Sequence, residues 1–185
     1  MGMSAGDWLK EYVQTLHWAA QDLATLISDD LDPHWKAYCE FVYAFVFVCV
    51  GELGKELVVR GVSREKTEAV TFAFDRGVLT ALLTMQGGGH GDSDEAKLYR
   101  DHHDILERRA ELWAPLPTFG PTASLSSEVP KQAARSALGD EPAAGPKLQQ
   151  ASLQFSQSLA TVPEAMQHWA TLLSDGPKPV SNVEP

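Results

Sequence analysis

The chain has 185 residues, 44% of them hydrophobic and 22% charged, a size and balance that suit one domain with a sizeable core. Its 15 Lys and Arg against 25 Asp and Glu leave a formal charge of -10, which argues against a surface built to neutralise a phosphate backbone and so against nucleic acid as a partner. Two cysteines, Cys39 and Cys49, are too few for a disulfide scaffold, and on one helix they stand roughly 15 Å apart along the axis, beyond the bridging limit of about 7 Å between α-carbons.

The amino terminus carries neither a basic stretch nor a continuous apolar region, so no signal or transit peptide is expected and the default compartment is a reducing cytoplasm with free thiols. Ser4 followed by Asp7 resembles a helix start, and Leu9, Val13, Leu16, Ala20, Leu23 and Ile27 then recur at steps of four and three, which makes one helical face. A second helix is expected to begin with Asp32 as cap and Pro33 in the first turn. It should end near Arg60, where Gly61 can take the left-handed closing conformation.

Within that helix, residues 41–50 are apolar throughout except for the Tyr43 hydroxyl. The run is about half of what a membrane span requires, so no membrane partner is expected. Its aromatic and β-branched content also suits a buried strand, but the flanks 35–40 and 52–58 read as helix and predict that the segment between them is helical. An apolar surface all the way round exceeds the stripe that a peripheral bundle helix needs. The surplus must be covered by carboxy-terminal helices or by the same helix of a second chain, and tethering favours the former.

Ser63 predicts the cap of a third helix, with Val70, Ala73, Phe74, Gly77, Val78, Ala81, Leu82 and Met85 as its inner face and Gly77 at a close helix crossing. A loop over 87–91 leads to a fourth helix, capped by Asp92 or Ser93 and ending before Pro115. Tyr99, His103, Leu106, Ala110 and Trp113 make its inner stripe, and most of its charges fall on a solvated face. Residues 115–146 are rich in Pro, Ser and Ala and read as a linker or a wrap, with room for two helical turns at 131–138. Two shorter helices follow at 147–161 and 163–174, divided by a capping-box start from Thr161, Pro163 and Glu164.

The expected architecture is therefore all-α: an antiparallel four-helix bundle over 1–114, a Pro-rich linker over 115–146, carboxy-terminal helices within 147–175 packed on the bundle, and a disordered tail over 176–185. Residues 1–114 hold 11 basic and 19 acidic residues, so most of the acidic excess belongs to the bundle.

Candidate chemistry is sparse. His103 and Glu107 stand four apart on one helical face, a spacing from which an imidazole and a carboxylate can share a transition metal, with His102 beside them. The pair His103-Asp104 resembles the His-Asp dipeptide of helical metal-dependent phosphohydrolases of the HD class, which is completed by a His and an Asp on other helices. Here His34 or His90 would supply the second histidine, with one of several aspartates. The plainer reading gives His103 a place in the inner stripe and leaves His102 at the surface. Glu40, Glu52 and Glu56 lack the Glu-x-x-His motif of carboxylate-bridged di-iron bundles. The 87–91 loop lacks the preceding strand and following Lys of a phosphate cradle, and Asp92, Asp94 and Glu95 would repel an anion.

Both cysteines sit in or beside the most apolar helix, where burial makes a thiol inert, and no Gly-x-Ser-x-Gly elbow is present. Five tryptophans, at 8, 18, 35, 113 and 169, suit either core anchors or the lining of an apolar-ligand cavity in the bundle.

Taken together, the residues favour a non-enzymatic module that binds another protein of basic character through an acidic surface, as monomer or homodimer. Phe155, Leu159, Met166, Trp169 and Leu173 are its candidate interaction residues. A metal-dependent hydrolase or oxidase using His102, His103 and Glu107 with a divalent transition metal is the alternative, and a Trp-lined apolar-ligand site is the third reading. No other cofactor is expected.

Overall fold

The computed structural model describes residues 3–28, 31–86, 95–114, 128–138 and 145–174, with the side chain of Glu95 excepted. The described residues form seven helices and no strand: α1 (Ala5–Ile27), α2 (Leu31–Val59), α3 (Arg64–Met85), α4 (Glu95–Trp113), α5 (Glu128–Leu138), α6 (Gly145–Leu159) and α7 (Val162–Ser174). The expected 87–91 loop, the cap at Asp92 or Ser93, His90 and the 176–185 tail lie outside the described residues.

Local signals account for most helix ends. The Ser4 hydroxyl accepts from the Asp7 N–H at 3.1 Å and starts α1. Gly61, at φ 74, closes α2 with the two bonds of a Schellman motif, Val62 N–H to the Leu57 carbonyl and Gly61 N–H to that of Val58. Ser63 caps α3 through the Lys66 N–H. Two caps differ from expectation. α2 begins at Leu31, so Asp32 lies inside the first turn, where its charge suits the helix dipole. The Thr161 hydroxyl donates back to the Ser158 carbonyl at 3.0 Å, satisfying the end of α6 instead of the start of α7.

α2 is the centre of the molecule. It packs against α1, α3, α4, α5 and α7, and residues 41–46, 48 and 49 are all buried, which is what its all-round apolar surface demands. Phe155 of α6 meets Phe41 and Phe45 edge-on, with ring centroids 5.3 and 4.7 Å apart. Trp169 of α7 packs on Phe74 of α3, and its indole N–H donates to the Ala5 carbonyl. Lys147 at the start of α6 donates to the Ile27 carbonyl, a cation placed at the negative end of α1. Within the span read as a linker, α5 buries Val129, Ala133, Ala134 and Ala137 and packs on α2 and α6.

The inner face of α3 is rotated from the expected one. Phe74, Asp75, Val78, Leu79, Leu82 and Leu83 are buried, whereas Ala73 and Gly77 are exposed. A Cβ at Gly77 would meet nothing within 4 Å, so the anticipated close crossing is absent. Small residues suit either a crossing or solvent, and leucines at 79 and 83 gain more from burial.

Candidate functional site

Between α2, α3 and α4 runs a groove of about 480 Å³. Val46, Phe47, Val50 and Gly51 of α2 form one side with Leu106 and Ala110 of α4, all apolar. Glu68, Thr71, Phe72 and Asp75 of α3, with His103 and Glu107 of α4, add three carboxylates and an imidazole to the same walls. The rings of Phe47 and Trp113 pack at 5.6 Å, which fixes Phe47 from behind.

Asp75 organises the polar end. It is 8% exposed, and its Oδ2 accepts a hydrogen bond from the Tyr99 hydroxyl at 2.8 Å and stands 3.5 Å from His103 Nε2. Its Oδ1 and the His103 Nδ1 are buried without a hydrogen-bond partner. Burial pushes the Asp75 carboxyl above its ordinary value, opposed by the Tyr99 hydrogen bond and the His103 charge and reinforced by Glu107. Tyr99 is raised in turn, by burial first and then by its bond to Asp75, and remains a donor.

A second polar junction joins α4 to α2 on another face. Glu40, 5% exposed, accepts from Arg109 Nε and Nη2 at 2.9 and 2.6 Å, a fork in which both carboxylate oxygens are used. Nearby, the Tyr43 hydroxyl lies 2.6 Å from His102 Nδ1, and because burial raises the phenol and lowers the imidazole, the hydroxyl donates to a neutral ring. His17 makes a comparable contact on α1. Tyr38 donates to the Leu82 carbonyl, which leaves its oxygen to accept from His17 Nδ1 at 2.9 Å.

Adjacent helix positions differ by about 100° around the axis. His102 accordingly turns to α2 and His103 to α3, while Glu107 shares the groove with His103. No set of three His, Cys, Asp or Glu side chains converges as a metal-holding group among the described residues. Phe155, Leu159, Met166 and Trp169 are buried and Leu173 is 40% exposed. Burial raises both thiols to about 12, so neither Cys39 nor Cys49 is a nucleophile. Trp113 and Trp169 are buried, Trp8 stacks on Tyr12 and Trp35 on Tyr38, and Trp18 is exposed; none lines the groove. Asp75 and the Glu40–Arg109 pair were not singled out from the sequence. The available signal for Asp75 was its step of four and eight from Thr71 and Thr67, which places one polar line along the face of α3.

The histidines give a pH dependence with a definite sign. Burial holds His102 and His17 below the ordinary value near 6.5. Such a group binds its proton more readily in the unfolded chain, so its contribution is full above the ordinary value and is lost as pH falls toward the lowered one. Asp75, raised above 3.8, acts oppositely and loses stability as pH rises. The melting temperature is expected to fall between about pH 7.5 and about pH 5.5, and to fall less in His102→Gln, whose amide accepts from Tyr43 without titrating. An identical fall in both proteins would place the dependence elsewhere.

Compared with family models, with curated proteins and with solved structures, the chain matches none.

Proposed function

We propose that the protein is a non-enzymatic binding module whose groove between α2, α3 and α4 receives a basic, partly apolar segment of another protein. The observation that carries this reading is the joining of an apolar floor to the carboxylates of Glu68, Asp75 and Glu107 in one concavity. Apolar walls with a few convergent polar groups are the usual make-up of a recognition site, and the volume lies within the range of such sites. The net charge of -10 adds long-range attraction for a basic partner. In this reading the four amino-terminal helices serve as the antiparallel bundle, α5, α6 and α7 cover α2, and the protein acts as a cytoplasmic monomer without a metal.

Selection from a random peptide library on the full chain tests it. The enriched peptides are expected to combine Lys or Arg with apolar residues, and to lose most of their affinity for the double variant Glu68→Lys, Glu107→Lys. Both positions are exposed, so the charge reversal leaves the core alone. Enrichment of uncharged or acidic peptides, or equal binding by the reversed variant, would overturn the proposal.

A further inference from the structure

A second groove, of about 420 Å³, lies between α5 and α6 and shares no residue with the first. We infer that it binds an aliphatic monocarboxylate, a single carboxylate carried on a hydrocarbon stem. Its walls reverse the charge of the molecule as a whole. In a chain with a net charge of -10, the charged side chains that line it are those of Lys131 and Arg135, and no carboxylate joins them among the described residues.

The charge at the groove fits a monoanion. Lys131 is held by Glu128 at 2.8 Å, and Glu128 lies below its ordinary value through that hydrogen bond first, with the charge of Arg135 adding to it. Arg135, one turn further along α5 and exposed, forms no ion pair or hydrogen bond among the described residues. Two cations against one carboxylate leave one positive charge, on a guanidinium whose fork matches the two oxygens of a carboxylate. Gly145, the first residue of α6, also lines the groove, so the positive end of that helix, equivalent to roughly half a charge, opens on the same space. A dianion would exceed this balance in an otherwise acidic molecule.

A polar side chain without a partner points to the same ligand. Ser152 is 7% exposed and lines the groove, and its hydroxyl forms no hydrogen bond among the described residues. The Ser156 and Ser158 hydroxyls of the same helix, by contrast, donate to the carbonyls four residues back. The sealed polar atoms without a partner belong to Gln21, Thr67, Asp75 and His103, and the Ser152 hydroxyl is not among them, so it keeps access to the groove. An unpaired hydroxyl at such burial is costly, and a carboxylate oxygen in the groove would accept from it. The stem has its own complement in Leu148, partly buried, and Leu153, 38% exposed.

The experiment is a methyl-detected NMR titration of the full chain, near neutral pH, with hexanoate, hexylphosphonate and hexan-1-ol. Hexanoate is expected to shift the Leu148 and Leu153 signals saturably, with an affinity about fivefold or more above that of hexanol and no lower than that of the phosphonate. Arg135→Gln, at an exposed position, should lower the hexanoate affinity about fivefold or more and leave the hexanol response unchanged. Ser152→Ala should lower it about threefold at a melting temperature no lower than the parent's, since no hydrogen bond is lost, and Arg135→Gln serves if that variant misfolds. An equal response to hexanol, tighter binding of the phosphonate, or full hexanoate affinity in a folded Arg135→Gln or Ser152→Ala protein overturns the inference. So does the absence of hexanoate shifts, including the case in which they appear only once Asp140→Asn and Glu141→Gln are introduced, where the chain's own carboxylates hold the groove.

Discussion

Phe155→Ala is expected to cost about 3–5 kcal/mol of folding stability, the range for removing a fully buried aromatic ring. Phe155 has no exposed surface, and its ring stands edge-on to both Phe41 and Phe45. The buried face of α6 is otherwise Ala151, Ser152, Ser156 and Leu159, with Leu148 partly buried beside them, so this ring and Leu159 are the two fully buried large apolar groups of α6. Its loss leaves a cavity against the part of α2 that is apolar on every side, and the neighbouring helices are too constrained to fill it. The effect should appear as an earlier urea midpoint with an unchanged slope. Leu153→Ala on the same helix, at a position 38% exposed, should change the midpoint little. A Phe155→Ala protein within about 1 kcal/mol of the parent would mean that α6 does not help to close the core of α2.

Arg109→Ala is expected to cost about 3 kcal/mol, the low end for breaking a buried ion pair, because the arginine side chain keeps 30% of its exposure while that of Glu40 keeps 6%. Most of the loss is the desolvated Glu40 carboxylate left without a cation, and far less is the attraction itself. One consequence separates this from a packing defect. The double variant Glu40→Leu, Arg109→Met should recover most of the lost stability, since neither charge remains to be compensated. A deficit that persists in the double variant would assign the cost to lost packing of the arginine stem.

The elements themselves were largely legible. Helix caps, the closing glycine and the step of three and four act over one turn, so Ser4, Ser63 and Gly61 announce their roles without reference to the rest of the chain. Residues 41–50 show how far such reading goes. Their propensity suits a strand and their flanks a helix, and the helix is found because continuing the backbone hydrogen bonds of both flanks leaves no interruption to satisfy. The rotated face of α3 shows where it stops. Ala73 and Gly77 fit the apolar pattern as well as Leu79 and Leu83 do, and only the packed neighbours distinguish them.

The sequence by itself determined that the chain is helical, that its thiols are buried and unbridged, and that one helix is too apolar for the edge of a bundle. These properties follow from composition and from interactions within a turn. Only the tertiary structure decided that His102 faces Tyr43 while His103 faces Asp75, that Glu40 meets Arg109, and that three carboxylates line one groove. An apolar stripe about 100° wide leaves each helix free to turn and slide by a residue, and neighbours 102 and 103 fit it equally well. Which oxygen meets which nitrogen is set by the offset of one helix against another, and that offset is chosen by the summed packing of the helices around them.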